Sequence, residues 1–164
     1  MVKSMTFEDQ LSNFLEGFEK LIVLGVGNEL KCDDGVGPYI IKKLKEEDIE
    51  NDKLLFIDSQ TVPENFTGKI RKENPSHLIM VDACLMDEEP GEMKIVNRYD
   101  FANIGISTHS MSLSFFVKFL EKDSDIRISF VGFEPESMDY ADKPTEVVEK
   151  SANDFVNILK GIIL

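Results

Sequence analysis

Residues 21–37 read LIVLGVGNELKCDDGVG, and the order of apolar, small and acidic residues in them decides how the rest of the chain is understood. Leu21 to Leu24 is a short apolar run of the kind that forms a strand buried on both faces, and it stops abruptly at Gly25-Val26-Gly27-Asn28. Beyond the break come two adjacent carboxylates, Asp33 and Asp34, then Gly35-Val36-Gly37-Pro38, and then the helical spacing Val36, Ile40, Ile41, Leu44. The acids therefore sit between the carboxyl end of a strand and a helix, the crevice where open α/β sheets hold ligands.

Two Gly-rich readings of this loop fail. A dinucleotide fingerprint needs a third glycine where the chain has Leu30, and a P-loop needs Gly-Lys-Ser/Thr where it has Asp33-Asp34-Gly35. A phosphate would meet two negative charges. Carboxylates so placed suit a cation, or acid/base work on a neutral group. The ordinary alternative is that Asp33 caps the helix and Asp34 favours its positive end.

Working outward, Leu11, Phe14, Leu15 and Phe18 predict a helix over about Phe7 to Glu19, with Thr6 as N-cap, packed on the sheet as an N-terminal extension. A helix from about Val36 to Glu47 follows the acid loop. Leu54 to Ile57 reads as the second strand, ending at Asp58-Ser59, and Val62-Pro63-Glu64-Asn65 starts a helix of about ten residues that stops before Pro75. Leu78 to Val81 is the third strand, central and ending on Asp82. Strand, helix, strand, helix, strand with short joints is the pattern of a parallel sheet. Asp58 reads as a turn residue bonding its own backbone, whereas an acid at the tip of the most buried strand needs a partner.

Glu92 to Asn97 reads as a short edge strand, Tyr99 to Ile106 as loop with a helical turn, and Ser107-Thr108-His109-Ser110 as the approach to a helix with apolar face Leu113, Phe116, Val117, Leu120. A helix start there favours the neutral ring that a metal requires, although a surface or capping histidine is the plain alternative for His109. His77 opens a strand at the opposite end of the sheet and reads as structural. Ile126 to Phe133 is the last strand; Glu134 to Asp142 reads as solvated acidic turn or a flexible rim. Pro144 is expected at the first position of a final helix with apolar face Val147, Val148, Phe155, Ile158, Leu159. The expectation is a single α/β domain over 1–164, a three-layer sandwich. Its twisted sheet has about five mostly parallel strands with one antiparallel edge strand, helices cover both faces, and 1–19 form the helical extension.

At 164 residues the chain can bury a core without staples. Its net charge of −13 argues against nucleic acid or an anionic membrane as partner. No apolar run is long enough to span a bilayer and MVKSMTFEDQ lacks a signal peptide's apolar core, so a cytoplasmic location is expected. Cys32 and Cys84 lack disulfide or zinc spacing and read as small buried hydrophobes; a reactive thiol or soft ligand is the minor alternative.

Taken together, Gly25-Val26-Gly27-Asn28, Asp33-Asp34-Gly35-Val36-Gly37, Pro63-Glu64-Asn65, Val81-Asp82-Ala83 and Thr108-His109-Ser110 resemble the hydrogenase maturation proteases, in particular the hydrogenase 3 type. The resemblance runs from about Leu21 to the last helix. It implies an endopeptidase that trims the C-terminal extension of a [NiFe] hydrogenase large-subunit precursor after nickel insertion; a monomer is the expected form. It also implies a metal-binding and catalytic trio of Asp34, Asp82 and His109, and nickel, or another divalent metal in its place, carried by the substrate; a metal-assisted water with Asp34 or Asp82 as ligand and general base, and a pure aspartate mechanism in which nickel only docks the substrate, both stay open. Other branches have Glu where this chain has Asp34. Two carboxylates and one imidazole form an O₂N set with open positions, as contact with a substrate-borne ion would need. Glu64 and Asp33 are weaker candidates for substrate contact, Glu64 having the alternative of an acid in a helix's first turn. HExxH and Gly-x-Ser-x-Gly are absent, so zinc and serine protease readings lack support. The competing expectation is a non-catalytic, nickel-dependent chaperone or binding module for the same subunit.

Overall fold

Alternate side chains of the first strand leave the sheet on opposite faces, and each set meets its own layer of helices. The computed structural model of the protein describes residues 4–96 and 113–164. In β1 (Leu21–Gly25), buried throughout, Leu21 and Val23 join one apolar cluster while Ile22 and Leu24 join the other. A side-chain period of two in a strand covered on both faces requires this split. Further strands are β2 (Leu54–Asp58), β3 (His77–Ala83), β4 (Met93–Val96) and β5 (Arg127–Phe133). They lie in the order β2-β1-β3-β5-β4, parallel except for the antiparallel β4–β5 pair at one edge. Central β3 is buried at every position and repeats the alternation, with Ile79, Val81 and Ala83 on one face and Leu78 and Met80 on the other.

Helices α1 (Phe7–Leu15), α2 (Val36–Glu46) and α5 (Glu146–Ile163) cover one face through Leu11, Leu15, Ile40, Leu44, Phe155 and Leu159. Helices α3 (Thr67–Glu73) and α4 (Leu113–Glu121) cover the other through Ile70, Phe116, Val117 and Leu120. The expected layered α/β architecture, with one antiparallel edge strand, is the one observed. Side chains of this size each contribute about 1.5–3 kcal/mol when fully buried, so the two clusters hold the layers together.

Several boundaries differ from expectation for identifiable reasons. The first helix stops at Leu15 instead of Glu19, because Gly17 takes φ +75° and turns the chain into β1. At its start, Thr6 and Asp9 form a reciprocal capping box. The segment expected as one helix after Val62 is a 3₁₀ turn over Pro63–Phe66 followed by α3, which ends at Asn74 in the left-handed conformation. Asp33 does not cap α2: the cap position belongs to Gly35, without a side-chain hydrogen bond. Nor does Pro144 open the last helix. Thr145 is its N-cap, held extended at φ −64°, ψ 160° because its N–H donates to Asp33 at 2.7 Å. The readings placed on Asn97 to Ser112, including the approach to α4 and His109, lie outside the described residues.

The start of α2 reaches the sheet backbone to backbone. A Cβ on Gly37 would lie 2.5 Å from the Val26 amide nitrogen and 2.8 Å from the Val81 carbonyl oxygen, so only glycine permits this approach. That contact brings the acid loop onto the tip of β3.

Candidate active site

Asp33 and Asp34 are neighbours in sequence and have opposite tasks. Both lie in a 3₁₀ turn, Cys32–Gly35, where successive side chains point about 120° apart. Both are buried, at 0% and 1% exposure. Asp34 turns inward over the first loop, and its Oδ2 accepts a hydrogen bond from the Asn28 amide at 3.0 Å. Asp33 turns outward to the segment before α5. There its carboxylate accepts from the amides of Glu136 at 2.8 Å, Ser137 at 3.0 Å and Thr145 at 2.7 Å, and from the Thr145 hydroxyl at 3.0 Å. Its role here is to fasten two loops together. Asp33, the weaker candidate for substrate contact, is fully buried with both carboxylate oxygens accepting these hydrogen bonds.

Asp82 reaches the same place from the central strand. It is fully buried near the end of β3, and its Oδ1 accepts from the Ala83 amide at 2.7 Å. The same oxygen lies 3.5 Å from the position a Cβ would take on Gly27, and that Cβ would collide with the Asp34 carbonyl. Gly27, at φ +144°, thus lets the loop pack against the Asp34 backbone and beside the Asp82 carboxylate. It is pinned by donating its amide to the Gln60 carbonyl at 2.8 Å, while Val26 donates to Val81 at 3.0 Å. Both carboxylates therefore approach one short piece of backbone, Gly27-Asn28. Two buried acids on one loop at a sheet's carboxyl rim can share a proton or a cation.

The other candidates separate clearly. Asp58 makes the expected turn, its carboxylate accepting from the Gln60 amide at 3.0 Å and side chain at 2.9 Å. Glu64 is partly buried in the turn after β2, on the same rim of the sheet as the acids. His109 lies outside the described residues, and among the described residues no three His, Cys, Asp or Glu side chains form a metal-holding group. The described part of the trio is its two carboxylates.

Both cysteines are buried, as expected. Burial, reinforced by the negative charges of Asp82 and Glu134, pushes the Cys84 thiol up to about 12. Burial and the Asp33 charge also push Cys32 up. Thiols held protonated in this way are poor nucleophiles and poor ligands.

Some supporting residues gave no warning in the sequence. Glu134, 6% exposed, accepts from the amides of Met86 at 2.8 Å and Glu88 at 3.0 Å, fastening the loop after Asp82 to the end of β5. Ser59 donates to the Gly25 carbonyl at 2.9 Å and ties β2's loop to β1's. The stretch from Glu134 to Asp142, expected as a solvated or flexible turn, is bound to the acid loop. Ala141 donates to Leu30, Cys32 donates to Ala141 and Asp33 donates to Ser137, at 3.0–3.1 Å. Around this braced rim, Leu30, Val62, Leu85 and Tyr140 are exposed, one on each of four loops.

His77 lies at the far end of β3, as its place in the sequence suggests. It is 3% exposed, its Nδ1 is 2.9 Å from the Ser76 hydroxyl, and its ring meets Phe14 edge-on at 5.2 Å. Burial, and secondarily the positive charge of Arg127, hold its pKa below the ordinary 6.5. The folded protein therefore disfavours the proton that the unfolded chain accepts. This contribution is complete above about pH 6.5 and is lost as pH falls from there through the folded value. The expected result is that His77→Gln flattens the decline of unfolding free energy below pH 6.5; a parallel decline in both proteins would disprove it.

Comparison with known proteins adds the following. A family model described as HycI, hydrogenase maturation protease, matches residues 38–162. A Methanocaldococcus jannaschii protein assigned to the hydrogenase maturation proteases is 37% identical over 162 residues, covering 95% of each chain. The hydrogenase 3 maturation protease of Escherichia coli K12 is 30% identical over 141 residues, 85% of this chain and 88% of that one. Among solved structures, the HycI [NiFe] hydrogenase maturation protease of Thermococcus kodakarensis superposes with a TM-score of 0.86 at 24% identity, covering 94% of this chain and 98% of that one, a likeness of fold.

Proposed function

Because this chain belongs to the hydrogenase maturation proteases, a family of peptidases, we propose that it removes the C-terminal extension of a [NiFe] hydrogenase large-subunit precursor after nickel insertion, reading the substrate's nickel as its signal. The observation that carries this reading is the approach of two buried carboxylates, Asp34 and Asp82, to the Gly27-Asn28 loop at the carboxyl rim of the sheet. His109 is the proposed third contributor, and Glu64 stands on the same rim as the proposed substrate contact. An incomplete set of oxygens binds an ion firmly only when the substrate completes its coordination, which ties affinity to a loaded precursor. Another divalent ion with similar preferences could stand in for nickel.

In the proposed mechanism the precursor's ion supplies Lewis acidity at the scissile carbonyl. Asp34 and Asp82 orient a water and take up its proton, and the proton then passes to the leaving amine. Burial of both acids excludes bulk water from that exchange. This is an aspartate-based peptidase whose metal arrives with the substrate. The exposed Leu30, Val62, Leu85 and Tyr140 suit the docking of a protein surface. In the described residues no helix is long and apolar enough to cross a membrane. A monomeric, cytoplasmic enzyme is the proposed working form.

Intact-mass spectrometry of the precursor before and after incubation tests the proposal. Nickel-loaded precursor should lose its C-terminal segment, and nickel-free precursor should stay whole even at high enzyme concentration. Efficient cutting of nickel-free precursor would remove the metal signal. An unchanged mass of loaded precursor, with stable binding, would favour the chaperone reading.

A further inference from the structure

The loop after β1 carries two exposed apolar side chains on backbone that is hydrogen-bonded directly to one of the acids, and Asn28 is the link. Its amide donates to the Asp34 carboxylate at 3.0 Å, its side-chain oxygen accepts from the Leu30 amide at 2.9 Å, and its carbonyl accepts from the Lys31 amide at 3.1 Å. From there the loop pairs with the segment before α5. Lys31 and Ala141 form a parallel bridge, Ala141 donates to the Leu30 carbonyl at 3.0 Å, and Cys32 donates to the Ala141 carbonyl at 3.1 Å. One position earlier in each segment stand Leu30 and Tyr140, 61% and 85% exposed. Register therefore makes them neighbours. The Lys31 ammonium also meets the Tyr140 ring, 6.0 Å from its centre.

Asp33 fixes this ridge from beneath, its amide donating to Ser137 and its buried carboxylate accepting from Glu136, Ser137 and Thr145. A Leu and a Tyr held exposed on backbone so tied lose little further freedom when a partner covers them, which is the property of an interface anchor. Position names the partner. Leu30 follows Asn28 by two residues, so no more than about 7 Å separates their Cα atoms, the span of about two residues of extended chain. A polypeptide held with its scissile bond at the acids passes the ridge within a few residues. We propose that Leu30 and Tyr140 form a contact ridge for apolar side chains of the precursor beside the cut, and so take part in selecting the substrate. The inference rests on the peptidase reading above. It gives the two residues a positioning task, apart from the acids that handle the proton.

The test is the kinetics of cleavage of nickel-loaded precursor. Leu30→Ala and Tyr140→Ala should each raise KM about tenfold, and together about thirtyfold or more, with kcat kept within about twofold. Tyr140→Phe keeps the ring and should stay near the parent. Thermal midpoints should hold within about 2 °C, because both side chains are exposed. Leu164→Ala removes an equally exposed apolar side chain, 71% exposed at the far end of α5, and should leave KM unchanged. A photocrosslinking side chain at position 140 should join the precursor within about five residues of the cut, given the spacing above. An unchanged KM in the double variant, an equal rise with Leu164→Ala, a Tyr140→Phe variant as impaired as Tyr140→Ala, or a crosslink elsewhere or none would each overturn the ridge while cleavage upholds the peptidase reading. If loaded precursor is never shortened, its Kd replaces KM: thirtyfold weaker binding by the double variant ends the peptidase reading and keeps the ridge, and equal or undetectable binding ends both.

Discussion

The Asp82→Asn variant is expected to fold like the parent and to leave nickel-loaded precursor uncut, with a loss of about a thousandfold or more in rate. Asparagine keeps the shape of the side chain, and its oxygen can still accept from the Ala83 amide as Asp82 does at 2.7 Å. The fold should therefore survive at a cost of about 1 kcal/mol, the scale of one altered hydrogen bond. The charge and the proton-accepting oxygen are lost. Asp34→Asn should behave alike, because its amide oxygen can replace the acceptor that Asn28 uses at 3.0 Å. His109→Ala should also stop cleavage. Combining the two aspartate variants should add little, since groups that act as a unit are strongly non-additive in rate. The measurements are precursor mass over time and thermal midpoints of each variant. Cleavage at more than a tenth of the parent rate in all three single variants would remove Asp34, Asp82 and His109 from the mechanism.

Asp33→Ala is expected to have the largest effect on stability of any single change to the acid loop, about 3–5 kcal/mol, with a midpoint lower by roughly 10–15 °C. The carboxylate is fully buried and receives the Glu136, Ser137 and Thr145 amides together with the Thr145 hydroxyl. Truncation leaves those donors without their acceptor in a place water does not easily reach, and each unsatisfied buried donor costs about 1–3 kcal/mol. Asp33→Asn should fall between parent and alanine, because an amide presents one acceptor oxygen and turns an N–H₂ towards the other donors. Urea unfolding of the three proteins gives the ranking. A loss below 1 kcal/mol for the alanine variant would mean that the segment from Glu134 to Thr145 does not depend on this carboxylate. Activity should fall with stability in this series and recover on cooling, which separates Asp33 from Asp34 and Asp82, whose variants stay inactive while folded.

Periodicity was enough to read the layered fold. Leu21 to Leu24 and Leu78 to Val81 are too uniformly apolar for a half-exposed strand, and the spacing between them leaves room for covering helices. Those local signals also placed Asp34 and Asp82 at strand ends and Asp58 in its own turn. What the sequence could not assign was the direction in which adjacent side chains point. Asp33 and Asp34 are identical in type, and only the 3₁₀ geometry of Cys32–Gly35 sends one to the acid pair and the other to the α5 approach. The segment from Glu134 to Asp142 looks solvated because its residues are polar, yet backbone bonds to Leu30, Cys32 and Asp33, more than 90 residues away in the chain, hold it. Glu134 itself is found only once β3 and β5 pair and bring the 84–88 loop to its carboxylate. Apolar spacing is a local property and survives in one dimension; which acid meets which amide depends on long-range register, and that exists only in the folded chain.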